Sequence, residues 1–294
     1  MLTIMWAILV FVMAVRTVMD RRRRYSSLSH VSHLALLCAV LSPDFLGKKY
    51  KADIIKSINA GSVRHRHYLR GPGGVPLMAR TCYALVLAKQ LGCPPKKLSL
   101  MLNWVRRCEH ARGGFSAAPH TRPHLVQTAA ACRLLCIDGG KGLRRDAHEQ
   151  WLNSTLDRCL RGSWLGDDAE RLQGMQLAVS ALTDLEAVRS LSQHIQSAVA
   201  QLAVSLWRGC PKTARDAFNF ANILCALGQR GEDLDDIRDN WLPRNERKLP
   251  SLKPDNALST ITDLVCVIRL LYPQSYRNRA SVQQAHDNLT KTYS

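Results

Sequence analysis

The chain has 294 residues, of which 46% are apolar and only 6% aromatic, and it carries a formal net charge of +18. A chain of this length buries roughly three-quarters of the surface its unfolded form exposes, so it needs no disulfide or metal staple, and 22% charged residues exclude global disorder. Leu, Ala and Val carry most of the apolar content, which suits helices packed on helices rather than a β-sandwich. The 10 cysteines include no C-x-x-C pair, as expected of reduced thiols in a cytoplasmic protein. The positive charge attracts anions, but it comes without a nucleic-acid motif, and nucleic-acid binding is not expected.

Residues 1–15, MLTIMWAILVFVMAV, form an almost unbroken apolar run, followed by Arg16 and by Arg21 to Arg24. The run is shorter than the roughly 20 residues that cross a bilayer as a helix, and no positive charge precedes it as in a secretory signal. Three readings stay open: a first helix packed on the domain, a membrane anchor with the basic cluster on the cytoplasmic side, or a segment added by a wrong start site. Residues 1–24 are therefore set apart as an apolar and basic segment, and membrane association through them is one expectation.

From residue 25 on, a helix of small apolar residues recurs. Its copies are SHLALLCAVL (32–41), ARTCYALVLAKQLG (79–92), VQTAAACRLLCIDGG (126–140), GMQLAVSALTDL (174–185), DAFNFANILCALG (216–228) and STITDLVCVIRLL (259–271). They start about 40 to 50 residues apart, which leaves room for one further helix and two loops. Those intervening helices are predicted at 49–58, 98–108, 147–160 and 191–206, where Ile54, Ile55 and Ile58, or Leu98, Met101, Leu102 and Val105, stand at helical spacing. Gly92, Gly139, Gly140 and Gly228 stand where a left-handed helix terminator fits.

The recurring helices are small-residue and apolar, whereas the intervening ones carry charge and one apolar stripe. An inner and an outer ring produce that contrast, and an open solenoid of helix pairs produces much of it too. Residues 25–275 are assigned to this all-α domain. Residues 276–294 are assigned as a polar tail, since Val282 and Leu289 are their only substantial apolar residues. With five complete pairs and a final inner helix, the ring is expected to be one outer helix short unless residues 276–292 provide it. Residues 2–15 are expected to cover the seam as a helix beside residues 259–271.

Residues 106–137 contain, in order, Cys108-Glu109-His110, the turn Gly113-Gly114-Phe115, Pro123-His124-Leu125 and then Thr128 at an inner-helix start. This ordered set resembles the β subunits of protein prenyltransferases, the farnesyl and geranylgeranyl transferases that modify protein cysteines. Gly162-Ser163-Trp164, and Asp167 and Asp168 followed by Arg171, continue the likeness, which covers about residues 25–272. The resemblance implies an α/α toroid (barrel) of helix-hairpin repeats with a central cavity. It also implies an isoprenoid diphosphate ligand, a zinc ion that activates the thiol of a protein substrate with a C-terminal cysteine, and a heterodimer with a prenyltransferase α-like subunit.

The family's zinc ligands are an Asp and a Cys two residues apart at one inner-helix start and a His on a later one. In one register Asp255 takes the Asp place and Ala257 the Cys place. In a second, Arg208, Lys212 and Asp216 are similar to the family's basic pair and zinc Asp, while Phe218 and Ser259 stand where Cys and His are needed. Either way two of three ligands are missing, and an Asp alone does not hold zinc tightly at neutral pH. The resemblance thus supports two functions: prenyl transfer to a protein cysteine, and non-catalytic binding of a partner or isoprenoid.

Two further constellations carry charge. Arg64 and Arg66, with Arg70, precede the loop Gly71-Pro72-Gly73-Gly74 and, near a cavity mouth, would receive a diphosphate; an ordinary exposed loop explains the same run. With Arg171, Arg208 and Lys212 they form the candidate substrate-binding set. Asp233-Leu234-Asp235-Asp236 spells the D-x-D-D of class II terpene cyclases, whose catalytic acid is kept neutral by burial; first-turn acids on a helix explain it as well. Cys132 and Cys136 share a helix face and read as core packing. His110, His120 and His124 read as turn or cavity-wall residues.

Overall fold

The computed structural model describes residues 31–64, 78–164, 166–229 and 231–293, the side chains of 61–64 excepted. The helices in chain order are α1 (Val31–Leu41), α2 (Lys48–Arg64), α3 (Met78–Gln90), α4 (Leu98–Arg107), α5 (Leu125–Ile137) and α6 (Arg145–Leu160). They continue as α7 (Asp168–Asp184), α8 (Gln193–Gly209), α9 (Ala214–Ala226), the composite α10 (Glu232–Asp236, a π-helical turn Ile237–Trp241, Leu242–Glu246), α11 (Pro254–Leu271) and α12 (Ala280–Tyr293). Among the described residues there is no β-strand, only the isolated bridges Glu109↔Phe115 and Ser116↔Pro123.

The odd-numbered helices form the inner ring. Each packs on the next, and α11 packs back on α1, so the ring is closed by the described residues alone. Close approach on both flanks needs small side chains, and Ala84, Ala88, Ala129, Ala130, Ala131, Ala178, Ala181, Ala217 and Ala221 are all buried there. The even-numbered helices lie outside: α6 on α7, α8 on α7 and α9, and α12 on α11. Trp207 of α8 stacks on Phe220 of α9, with ring centroids 5.3 Å apart. The fold is the all-α toroid of helix hairpins expected from the two helix types, in its closed form.

Local sequence explains where helices start and stop. Asp167 accepts from Glu170 N at 2.8 Å, and Thr213 and Asp216 form a reciprocal capping box at the start of α9. Gly228, at φ 70°, ends α9 with Gln229 N donating to Leu224 O at 2.9 Å, the expected left-handed terminator.

Three expectations are corrected here. Residues 276–293 are not a bare tail, because α12 occupies the last outer position and buries Val282, Ala285, Leu289 and Tyr293. Gly47 N donates to Tyr293 O at 2.8 Å, which ties the end of α12 to the start of α2. The stripe recurs at helical spacing, but Ala285 is small and Tyr293 lies at the very end, so the segment reads as polar. The seam between α11 and α1 is likewise already closed, and the helix assigned to cover it, residues 2–15, lies outside the described residues. The expectation of membrane association is also corrected: among the described residues no helix is long and apolar enough to cross a membrane. Residues 1–24, which motivated it, lie outside the described residues.

Candidate functional site

Polar side chains from non-adjacent inner helices interact, which is possible only through the interior of the ring. Tyr83 of α3 lies in the fields of Arg133 on α5, Asp184 on α7 and Arg215 on α9. Cys266 of α11 lies in the fields of Arg133, opposite it in the ring, and of Arg215. Arg215 Nε donates to Asp263 Oδ2 of α11 at 2.9 Å, and its Nη2 lies 3.4 Å from His33 Nε2 of α1. An arginine only donates, so His33 Nε2 is the acceptor in that contact. Every inner helix thus contributes one ionisable side chain to a shared lumen: His33, Tyr83, Arg133, Asp184, Arg215 and Asp263.

Burial sets the electrostatics of this lumen. It pushes the Asp263 carboxyl up to about 6, with Arg215 pulling it back and Asp216 adding to the rise. It raises Asp184 as well, against the attraction of Arg133. Arg215 is compensated by Asp263, whereas Arg133 makes no ion pair among the described residues. Beside these groups, Gln176 and Ser180 of α7 share Asn222 Oδ1 of α9 at 3.2 and 2.8 Å. One turn earlier on the same stripe, Asn219 is buried with neither amide atom hydrogen-bonded among the described residues. The thiols are not activated: burial pushes Cys108 and Cys266 up to about 12 and raises Cys82 and Cys132, so they are protonated at neutral pH.

Of the candidate binding residues named from the sequence, Arg171, Arg208 and Lys212 make other contacts. Arg171 donates from Nε and Nη2 to Cys159 O, clamping α6 to α7. Arg208 is exposed and lies 3.6 Å from Asp233. Lys212 lies over the Trp207 ring at 5.6 Å, and its carbonyl accepts from Trp241 Nε1. Arg66 and the side chain of Arg64 lie outside the described residues. In the D-x-D-D run, Asp233 pairs with Arg208, Asp235 with Arg238 at 2.7 Å, and Asp236 accepts from Asn240. That run is an ion-paired start of the outer helix α10, not a buried acid facing the lumen.

Zinc fits poorly on the residues assigned to it. Asp216 Oδ2 accepts from both N and Oγ1 of Thr213, at 2.9 and 2.8 Å. Asp255 is exposed on the first turn of α11, cut off from the rest by the non-helical Ala257 (φ −129°, ψ 19°), and its field acts on Tyr50 and Tyr293. Among the described residues no group of three or more His, Cys, Asp or Glu is placed to hold a metal ion. Cys132 is core, His124 Nδ1 caps α5 by accepting from Val126 N, and His110 Nδ1 accepts from Arg112 N.

The segment that carries the family likeness is a structural joint. Gly113 has φ 89°, and a Cβ there would lie 2.0 Å from Ala147 O, so only glycine lets the loop reach α6. Gly114 N donates to Nδ1 of the fully buried His148 at 2.9 Å, which leaves the ring proton on Nε2, donated to Glu109 Oε1 at 2.8 Å. The His148 ring stacks on Phe115, 4.8 Å away. Thr128 Oγ1 accepts from Phe115 N and donates to His124 O, at 2.8 and 3.0 Å. Sequence reasoning found the turn and missed His148, Arg133, Asp184, Arg215 and Asp263. A usable signal for the last four is a charge inside or at the end of an otherwise small-residue inner helix.

A closed ring of inner helices around a polar lumen, wrapped by an outer ring, defines the α/α toroid class. The prenyltransferase alpha-alpha toroid domain matches residues 78–144 and 143–270, and the chain belongs to that family. No curated protein and no solved structure matches it.

Proposed function

We propose that this chain is a prenyltransferase β-like subunit that binds an isoprenoid diphosphate in its lumen, alongside a prenyltransferase α-like partner, without zinc-dependent thiol chemistry. The observation that carries this reading is Arg133: a lumen cation with no ion pair among the described residues, beside an Asp184 that burial drives toward its neutral form. A diphosphate placed there meets a guanidinium that forms no ion pair among the described residues, in a low-dielectric site where charge-assisted hydrogen bonds are strong. Tyr83, half-buried and within the same field, supplies a hydroxyl donor.

The second reading, transfer of a farnesyl or geranylgeranyl group to a C-terminal cysteine of a protein substrate, is favoured by family membership. It requires a thiol-activating group that the described residues do not assemble. Titration of the purified chain, with and without an α-like subunit, against farnesyl and geranylgeranyl diphosphate tests both. Binding that weakens at least roughly tenfold in Arg133→Gln, with no thioether by mass spectrometry, is expected. Thioether formation would establish the transferase reading, and absence of any prenyl diphosphate binding would reject both.

A further inference from the structure

A separate concavity of about 510 Å³ opens beside the Gly113-Gly114-Phe115 loop, lined among others by Arg107, Glu109, His110, Ser116, His120 and Arg122. None of these belongs to the lumen set. Arg107 ends the outer helix α4, and the rest lie on the loop that follows.

The floor of this cavity is rigid. Ser116 is buried and bonds Cys108 O through both its N and its Oγ, each at 3.0 Å, while His124 N donates to Phe115 O at 2.9 Å. Its wall includes His120 in the left-handed backbone region at φ 65°, an uncommon conformation for a non-glycine residue that fixes where the imidazole sits on the rim.

Charge in this cavity is one-sided. Its carboxylate, Glu109, is already engaged by His148 Nε2 at 2.8 Å and Arg144 Nε at 3.2 Å. Hydrogen bonding from these two groups offsets its desolvation and holds it below the usual carboxylate range. It therefore stays an anion turned to its own partners. Arg107 and Arg122 form no ion pair among the described residues, and the imidazoles of His110 and His120 stand with them on the cavity wall.

We infer that this cavity binds a phosphorylated small molecule, its phosphate held between the guanidinium groups of Arg107 and Arg122. Two guanidinium forks and two imidazoles offer more donors than the two oxygens of a carboxylate accept, whereas a phosphate ester presents three acceptor oxygens and close to two charges. The volume exceeds what a phosphate fills, so the organic part of the ligand sits beside it, where Ser116 and Thr121 line the wall.

The probe is inorganic pyrophosphate, titrated calorimetrically into the full chain at constant ionic strength, with sulfate as the control anion. With the lumen site weakened by Arg133→Gln, saturable one-to-one binding is expected to persist, and to weaken at least roughly tenfold when Arg107→Gln/Arg122→Gln is added. Binding lost in Arg133→Gln but intact in the double variant would overturn this site while leaving the lumen reading in place. No pyrophosphate binding, or equal binding of sulfate that the double variant retains, would also overturn it. Should the double variant fail to fold, arginine modification by phenylglyoxal in the native chain decides: pyrophosphate must protect Arg107 and Arg122, and unprotected modification would reject the site.

Discussion

Asp263 is a carboxylate made costly by its surroundings, and the cost has a definite pH signature. Its unfolded reference is 3.8, and burial raises it to about 6 in the folded ring. Below pH 4 both states hold the proton and the group contributes nothing. Between pH 4 and 6 the folded state retains a proton that the unfolded state has released, so stability falls as pH rises. Above pH 6 the penalty levels off at an order of about 3 kcal/mol. Asp263→Asn removes this term while keeping an acceptor for Arg215. Relative to wild type, the variant is therefore expected to gain about 2 to 3 kcal/mol between pH 4 and 6.5 in chemical denaturation; parallel curves would refute the assignment. His148 is expected to act in the opposite sense. His148→Ala leaves the Gly114 N–H without its partner and Glu109 with Arg144 alone, and opens a cavity under Phe115, for a loss of roughly 3 kcal/mol in the same measurement. A loss below 1 kcal/mol would show the joint to be dispensable. At this scale one residue carries two readings. Asp216 stands out as a zinc ligand by resemblance, yet its carboxylate accepts from Thr213 in a capping box, a role that the Thr-x-x-Asp spacing also encodes.

Elements were far more legible than residue roles, because a helix needs only periodic apolar contacts and a stop. Predicted helices at 98–108, 147–160 and 191–206 correspond to α4, α6 and α8 within a few residues. The exception, α12, shows the limit of counting large apolar residues: half of its buried stripe is Ala285 and Tyr293. Their burial depends on where the ring brings α11 and the start of α2, which no local window contains. The ion pair that anchors the start of α12 also lies beyond sequence windows. Arg279, just before it, makes a bidentate pair with Glu246 of α10, at 2.7 and 2.6 Å. Leu289→Ala is accordingly expected to cost about 2 to 4 kcal/mol, as for a fully buried leucine, rather than the few tenths of an exposed tail. Urea denaturation decides between the two, and an unchanged midpoint would return residues 280–293 to the status of a tail.

At the scale of the whole molecule, the toroid is held shut where its two ends meet, and the chemistry of that seam follows from one helix end. The last carbonyls of α1 have no helical donor, and Pro43, which follows, has no N–H to give Ala39 O. Residues from the far end of the chain take over this role. Arg269 Nη1 donates to Ala39 O at 3.3 Å, Tyr276 OH to Val40 O at 2.6 Å, and Arg277 Nη2 to Val40 O at 3.4 Å. Two cations at a helix C-terminus also suit the negative end of its dipole. At the other end of α1, Arg215 reaches both His33 and Asp263, so α1 is tied to α9 and α11. The ring closure is therefore carried by contacts 182 to 237 residues apart in sequence, which is why the repeat pattern fitted a barrel but could not place its seam. Tyr276→Phe keeps the aromatic ring but removes the hydrogen bond to Val40 O and the one the hydroxyl accepts from Arg277 Nε, and it is expected to cost about 1 to 2 kcal/mol. Because this hydroxyl binds across the seam, hydrogen exchange is expected to quicken first in α1 and α11, while α5 and α7 on the opposite side keep their protection. Uniform loss of protection around the ring would mean that the toroid opens as one unit and that this seam is no weaker than its other junctions.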